Sequence, residues 1–275
     1  MAVESRLWRP AAQRNVRNAW SYIQGHRSSW SSASAAALSS ATSLVNAYLL
    51  HGDVETMEFG VLADMEDIKE KARKKLLINQ RTYLRLYLNS YEELVQFVLQ
   101  MTSAAKSMKT YLNSSGGPLI NFTNVEAIVD GDSGDGGGVP VFSNLPMAAH
   151  ELLASEIVSM FQKELKVKWL LASEFCKLVY PTLEEVYSVQ KELSSPFGSE
   201  DMSCTSILSS TEQESKEITK EGANTMGHEV KSPKRETLQV YLTALLAEVY
   251  IIKDRIEEIG KIYSEEMSVG LFGTP

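Results

Sequence analysis

The sequence predicts an all-α protein: a long antiparallel helical bundle with coiled-coil-like seams, its helices joined by disordered linkers. Three observations carry that expectation. Apolar residues recur three and four apart through four long segments, the spacing of one helix face. No stretch of any length alternates with the period of two that a half-buried strand requires. Two stretches, one rich in Gly and Asp and one in Ser, Glu, Lys and Thr, break up the periodic segments and hold too little apolar surface to bury a core.

Residues 1–10 precede the first periodic positions and read as a flexible N-terminus, and 11–113 read as a long helical hairpin. The first arm, from about Ala11 to Leu50, places Val16, Ala19, Ile23, Trp30, Ala33, Ala37, Ala41, Leu44 and Tyr48 mostly three or four apart. Gly25 marks where this arm can bend or divide, and the Ala/Ser run between Ser28 and Ser43 would let another helix approach closely. The second arm, from about Leu62 to Leu112, carries the seam Leu84, Tyr87, Tyr91, Leu94, Val98, Met101, Ala105, Met108 and Leu112, whose steps alternate three and four. Leu88 and Val95 widen that seam, which suits a multi-helix bundle better than a two-stranded coil.

Residues 114–140 then read as a disordered, Gly/Asp-rich linker, centred on the run from Asp130 to Gly138. A helical segment occupies 141–193: it starts after Pro146, is interrupted at Pro181, and resumes to Leu193. Residues 194–235 read as a second disordered linker. The last helix, 236–267, repeats Leu238, Leu242, Leu245, Val249, Ile252, Ile256, Ile259 and Tyr263 in steps of four and three, and 268–275 form a frayed tail.

Composition narrows the function classes. The 275 residues carry a net charge of −8 and a pI near 5.2, which argues against direct nucleic-acid binding or attraction to an anionic membrane by bulk charge. No run approaches the length of about 18 apolar residues that crosses a bilayer. Two cysteines, Cys176 and Cys204, make no disulfide framework, and the N-terminal residues lack an apolar signal core, so the chain is expected to be intracellular and soluble. The Asn-x-Ser/Thr matches at Asn113 and Asn121 are then chance occurrences.

Residues suited to chemistry are sparse. His26, His51, His150 and His228 have no metal-ligand spacing to one another or to Cys, and no nucleophile elbow, phosphate loop or dinucleotide fingerprint occurs. The loop at 130–138 lacks the closing Glu that a calcium loop needs. A non-catalytic chain without metal or cofactor is the expectation. The basic group Lys71, Arg73, Lys74 and Lys75 reads first as a solvated helix face, and otherwise as a contact for an acidic partner or RNA, or as an import signal. Ser232, followed by Pro, Lys and Arg, fits a proline-directed kinase site. On the third helical segment, Lys163, Glu164 and Lys168 interleave with Phe161, Leu165 and Trp169. Glu164 and Lys168 form an i, i+4 pair in the favourable order, which explains them locally; the other reading is that charged and aromatic anchors face another subunit.

The block Pro140-Val-Phe142, Pro146, Met160-Phe-Gln-Lys-Glu-Leu165 and Lys168, with Ala172 and Glu174 behind it, resembles the cyclin-dependent kinase 2-interacting protein family over about 40 residues. Leu145 stands where that family tends to have Trp, and Gln162 where it has a basic residue. The run from Asp67 to Lys75 and the Lys-rich third segment are also similar to an AAA-ATPase-interacting ribosome maturation factor. Both resemblances imply a non-catalytic helical adaptor, in nucleus and cytoplasm, that joins an AAA ATPase and a second helical adaptor subunit in large-subunit ribosome maturation or replication-linked chromatin proteostasis. The first also implies a link to a cyclin-dependent kinase. They imply a partner-binding role for Phe142, Pro146, Phe161, Lys163, Glu164, Lys168 and Trp169. The alternative function is a structural coiled-coil subunit of a kinetochore, microtubule or tethering assembly, which the heptads suit equally well.

Overall fold

A computed structural model describes residues 2–112, 118–119, 134–180, 182–193 and 233–269. The chain is all-α in this structure. Helix α1 (Ala2–Asp53) and α2 (Ile68–Lys106) form an antiparallel hairpin. Helix α3 (Met147–Val179) packs along α2, and α4 (Leu183–Glu192) folds back on α3. Helices α5 (Arg235–Ala247) and α6 (Lys253–Val269) close over α1 and α3. Two two-residue strands, β1 (Tyr111–Leu112) and β2 (Pro118–Leu119), pair antiparallel beyond the end of α2.

The seams read from periodicity are the buried faces. Val16, Ala19, Ile23, Trp30, Ala33, Ala37, Ala41 and Leu44 of α1 are all buried, as are Leu84, Tyr87, Tyr91, Leu94, Val98, Met101 and Ala105 of α2. The heptad stripe of α2 is thus covered from within the chain. Gly25 does not divide α1, which continues through it.

Three expectations need correction. The N-terminus is not a flexible lead: α1 begins at Ala2, and the Trp8 indole is buried with Nε1 donating to the Thr110 carbonyl at 2.8 Å. Gly136 of the turn Gly136–Gly138 lies against its ring, so this part of the Gly-rich linker is packed. Gly136 has φ +66°, and an added Cβ would lie 2.6 Å from the Trp8 ring, so both its backbone and the close approach demand glycine. The last helix is not continuous. It breaks at Glu248, which adopts a left-handed conformation (φ 44°, ψ 56°), and restarts at Lys253. The break turns Val249 and Ile252 outward, 70% and 56% exposed, although both fit the heptad.

The core falls into two adjoining clusters. One gathers Trp8 to Ala33 of α1, Tyr91 to Met108, the loop residues Val141 and Phe142, α3 as far as Leu165, and Ile256, Ile259 and Tyr263 of α6. The other gathers Ala37 to Val45, Leu84 and Tyr87, Leu171 to Val179, Val186, and Leu238 and Leu245 of α5. In α1, α3 and the α5–α6 connection, the boundary between the clusters is marked by a polar residue: Ser34, Lys168 and Glu248.

Candidate functional site

The boundary residues converge on one buried ammonium. Lys168 is 1% exposed, and its Nζ lies 3.0 Å from Ser34 Oγ, 3.5 Å from Glu248 Oε1 and 3.8 Å from Glu164 Oε1. Glu248 Oε1 also accepts from Trp30 Nε1 at 3.0 Å and from Ser34 Oγ at 2.6 Å. Nζ stands 5.7 Å from the Trp30 ring centroid, near enough for a cation–π contact. The Tyr87 hydroxyl donates to the Lys168 carbonyl at 3.1 Å and ties α2 to the same turn. Glu164 Oε2 accepts from the Tyr250 backbone N–H at 3.2 Å, while its buried Oε1 has no hydrogen-bond partner.

Three helices and the connection therefore meet at a single charge. Burial pushes Lys168 below the usual lysine range, against the pull of Glu248 and Glu164. Burial likewise raises Glu164, against the Tyr250 N–H and Lys168. This enclosed ammonium is hydrogen-bonded to a hydroxyl and ion-paired with two carboxylates of the same chain. Its chemistry is that of a cross-brace. Above it lies a cleft of about 370 Å³ whose walls include Gln24, Arg27, Trp30, Glu248, Ile251 and Lys253.

A second constellation fixes the loop before α3. Pro140 and Pro146 bridge, and Val141 N–H donates to the Leu145 carbonyl at 2.9 Å. Arg9 donates to the carbonyls of Val141 and Phe142, and Gln13 Nε2 to Val141 at 2.8 Å. From α6, Glu266 Oε2 accepts the backbone N–H groups of Ser143, Asn144 and Leu145 at 3.2, 3.1 and 3.4 Å. Burial opposes the Glu266 carboxylate, but these donors and the Asn144 side chain outweigh it and hold its pKa below the usual range. Beneath the loop, His150 is fully buried between the rings of Phe142 and Tyr263, at 5.7 and 5.3 Å, with neither ring nitrogen hydrogen-bonded. Burial lowers its pKa, more than Glu266 raises it. The Tyr263 hydroxyl donates to the His150 carbonyl at 2.7 Å, and Tyr263 stacks on Trp20 at 3.9 Å.

The residues expected on a partner surface divide. Phe142, Phe161, Glu164 and Lys168 are buried inside the chain, which corrects their placement on an outer face. The cause is that α3 is a central helix, covered by α1, α2 and the α5–α6 connection. Pro146 is half-buried as the residue capping α3, and Trp169 is half-buried against the core. Lys163 alone of the group is exposed. Beside it on the outward side of α3 lie Leu152, 71% exposed, Lys166, and Leu170, 42% exposed.

Of the basic group, Lys71, Lys74 and Lys75 are exposed, whereas Arg73 pairs with Glu55. Ser232 lies outside the described residues. Burial pushes the Cys176 thiol up to about 12, so it packs as an apolar side chain. Ser34 and Glu248 were missed from the sequence and Trp30 was read only as a seam position; they lie 134, 80 and 138 positions from Lys168, with nothing local to mark their meeting. Among the described residues no helix is long and apolar enough to cross a membrane, and no three His, Cys, Asp or Glu side chains are grouped to hold a metal ion. Comparison of the chain with protein-family models, curated proteins and solved structures finds no match.

Proposed function

We propose that the chain is a non-catalytic helical adaptor. It would pair with a second helical subunit and help orient an AAA ATPase on its client, in ribosome maturation or replication-linked proteostasis, in nucleus and cytoplasm. Nucleotide hydrolysis would belong to the partner. The resemblance of the Pro140 to Glu174 block supplies the partner class and the link to a cyclin-dependent kinase.

One structural observation supports a docking role for that block. Leu152, Lys163, Lys166 and Leu170 share the outward line of α3, and all four are exposed. The spacing of 18 residues between the two leucines corresponds to about 27 Å of helix, a face long enough for another helix to lie on. The buried braces on the opposite side of α3 hold that face in place.

The test separates binding from folding. Lys163→Glu/Leu170→Asp alters two exposed positions and should leave the circular dichroism spectrum unchanged. It should lose recovery of an AAA ATPase and a second small helical protein in pull-downs from cells. A folded variant with wild-type recovery removes this face from the proposal. Failure of the unmodified protein to recover any AAA ATPase removes the adaptor reading itself. Lys168→Glu is unsuitable for this purpose, because it would place a third carboxylate beside Glu164 and Glu248.

A further inference from the structure

The outward face of α2 is strongly basic in a chain that is acidic overall. From Lys71 to Tyr91 there are six Lys or Arg and no Asp or Glu, against a net charge of −8 for the whole. The burial pattern sorts these residues by side. Gln80, Leu84, Tyr87 and Tyr91 face the bundle. Lys71, Lys74, Lys75, Ile78, Arg81, Thr82 and Arg85 step by three and one along the other side, and all are exposed. They span about 21 Å at the rise of an α-helix. Arg73 points elsewhere, to Glu55. Among the described residues, Lys74, Lys75, Arg81 and Arg85 have no acidic partner within the chain.

An apolar residue, Ile78, lies within this basic line, and Leu77 and Leu86 flank it. Leu77, Ile78 and Leu86 are 41%, 50% and 45% exposed. The first twelve residues of α2 contain no fully buried side chain, so this stretch stands clear of the core. Five like charges held on one face repel one another, and neighbouring apolar groups left in water add a second cost; a partner carrying acids and apolar side chains at matching spacing relieves both. We propose that the face from Lys71 to Arg85 is a docking surface for an acidic amphipathic helix of a partner protein. Lys71 and Lys75 are four apart, Lys74 and Arg81 seven, and Arg81 and Arg85 four, so these charges share one side of α2 and match carboxylates recurring at helical intervals on an adjacent helix. A nucleic-acid backbone would meet the charges but leave Ile78 and Leu86 uncovered, and no exposed aromatic on this line is available to stack on bases. The surface lies on a different helix from the α3 face and does not depend on the identity of the ATPase.

The probe is a fluorescein-labelled four-turn peptide with Glu at every third and fourth position and Leu between them, titrated with the full chain at low ionic strength. Saturable binding is expected. It should weaken by about tenfold in Lys74→Glu/Arg81→Glu, since rim and row charges steer and hold such a complex. It should weaken by about threefold or more in Ile78→Ser, which removes exposed apolar contact only. Both variants should keep the native circular dichroism spectrum. Absence of peptide binding overturns the proposal. So does peptide binding that is indifferent to Ile78→Ser, because it would be unspecific polyanion attraction. Tighter binding of a polyuridylate oligonucleotide or of phosphatidylserine vesicles than of the peptide, lost in the same charge variant, would overturn it in favour of RNA or membrane.

Discussion

His150 is the residue whose environment is least satisfied. Its ring is enclosed by Phe142 and Tyr263, and both nitrogens lack a hydrogen bond. A charge there is opposed by burial, so the folded protein keeps the ring neutral below the ordinary value of 6.5. The unfolded chain binds a proton near that value and the folded chain does not, so stability falls as pH drops below about 6.5. Glu266 acts in the same direction at lower pH. Its folded pKa is depressed, so its contribution is present above the ordinary carboxylate value and lost as pH falls through the folded one. Urea unfolding at a series of pH values should therefore show stability declining in two stages on acidification. His150→Leu should remove the first stage and leave the second. An unchanged profile in that variant would place the first stage elsewhere.

At the scale of the element, the seams were legible where an apolar face stays buried along an unbroken helix. Leu84 to Ala105 is such a run, and its pattern and its burial coincide. The break between α5 and α6 was not legible, because Leu238 to Tyr263 keeps heptad spacing straight through it. What interrupts the helix is tertiary: Glu248 is drawn to Lys168, Ser34 and Trp30, and the Tyr250 N–H to Glu164. A non-glycine residue at φ 44° is held only by such contacts. The two positions therefore diverge under the same substitution. Val98→Asp buries an unpaired charge and should cost about 3 kcal/mol or more, enough to unfold a marginal domain. Ile252→Asp lies on the exposed turn and should change stability by no more than about 0.5 kcal/mol. Thermal unfolding of the two variants side by side decides the matter. The start of α1 was equally hidden, since Trp8 is anchored by Thr110 and Gly136, more than a hundred positions away.

At the scale of the molecule, Lys168 stands between the two apolar clusters and adds a buried charge to the hydrogen bonds at their boundary. Its i, i+4 pairing with Glu164 could be read from spacing; its burial and its bonds to Ser34 and Glu248 could not, because they depend on how α1 and the α5–α6 connection are placed. Lys168→Met should leave two carboxylates without a counter-charge and cost about 3–5 kcal/mol, read from the urea midpoint. Adding Glu164→Gln and Glu248→Gln should recover part of that loss, because uncharged groups no longer need the ammonium. If the triple variant is no more stable than Lys168→Met, the penalty comes from lost packing of the lysine stem.

The same brace constrains how the sequence can drift. Ser34, Glu248 and the pair Glu164/Lys168 come from three separate parts of the chain, yet the buried ammonium and its acids are tolerable inside the fold only in one another's presence. Replacement of the lysine first strands two acids, and replacement of both acids first strands the lysine, so those routes descend before a later step can climb back. The four positions are thus expected to change together or not at all. In a set of diverged sequences, correlated substitution among them would be the historical trace of one buried charge.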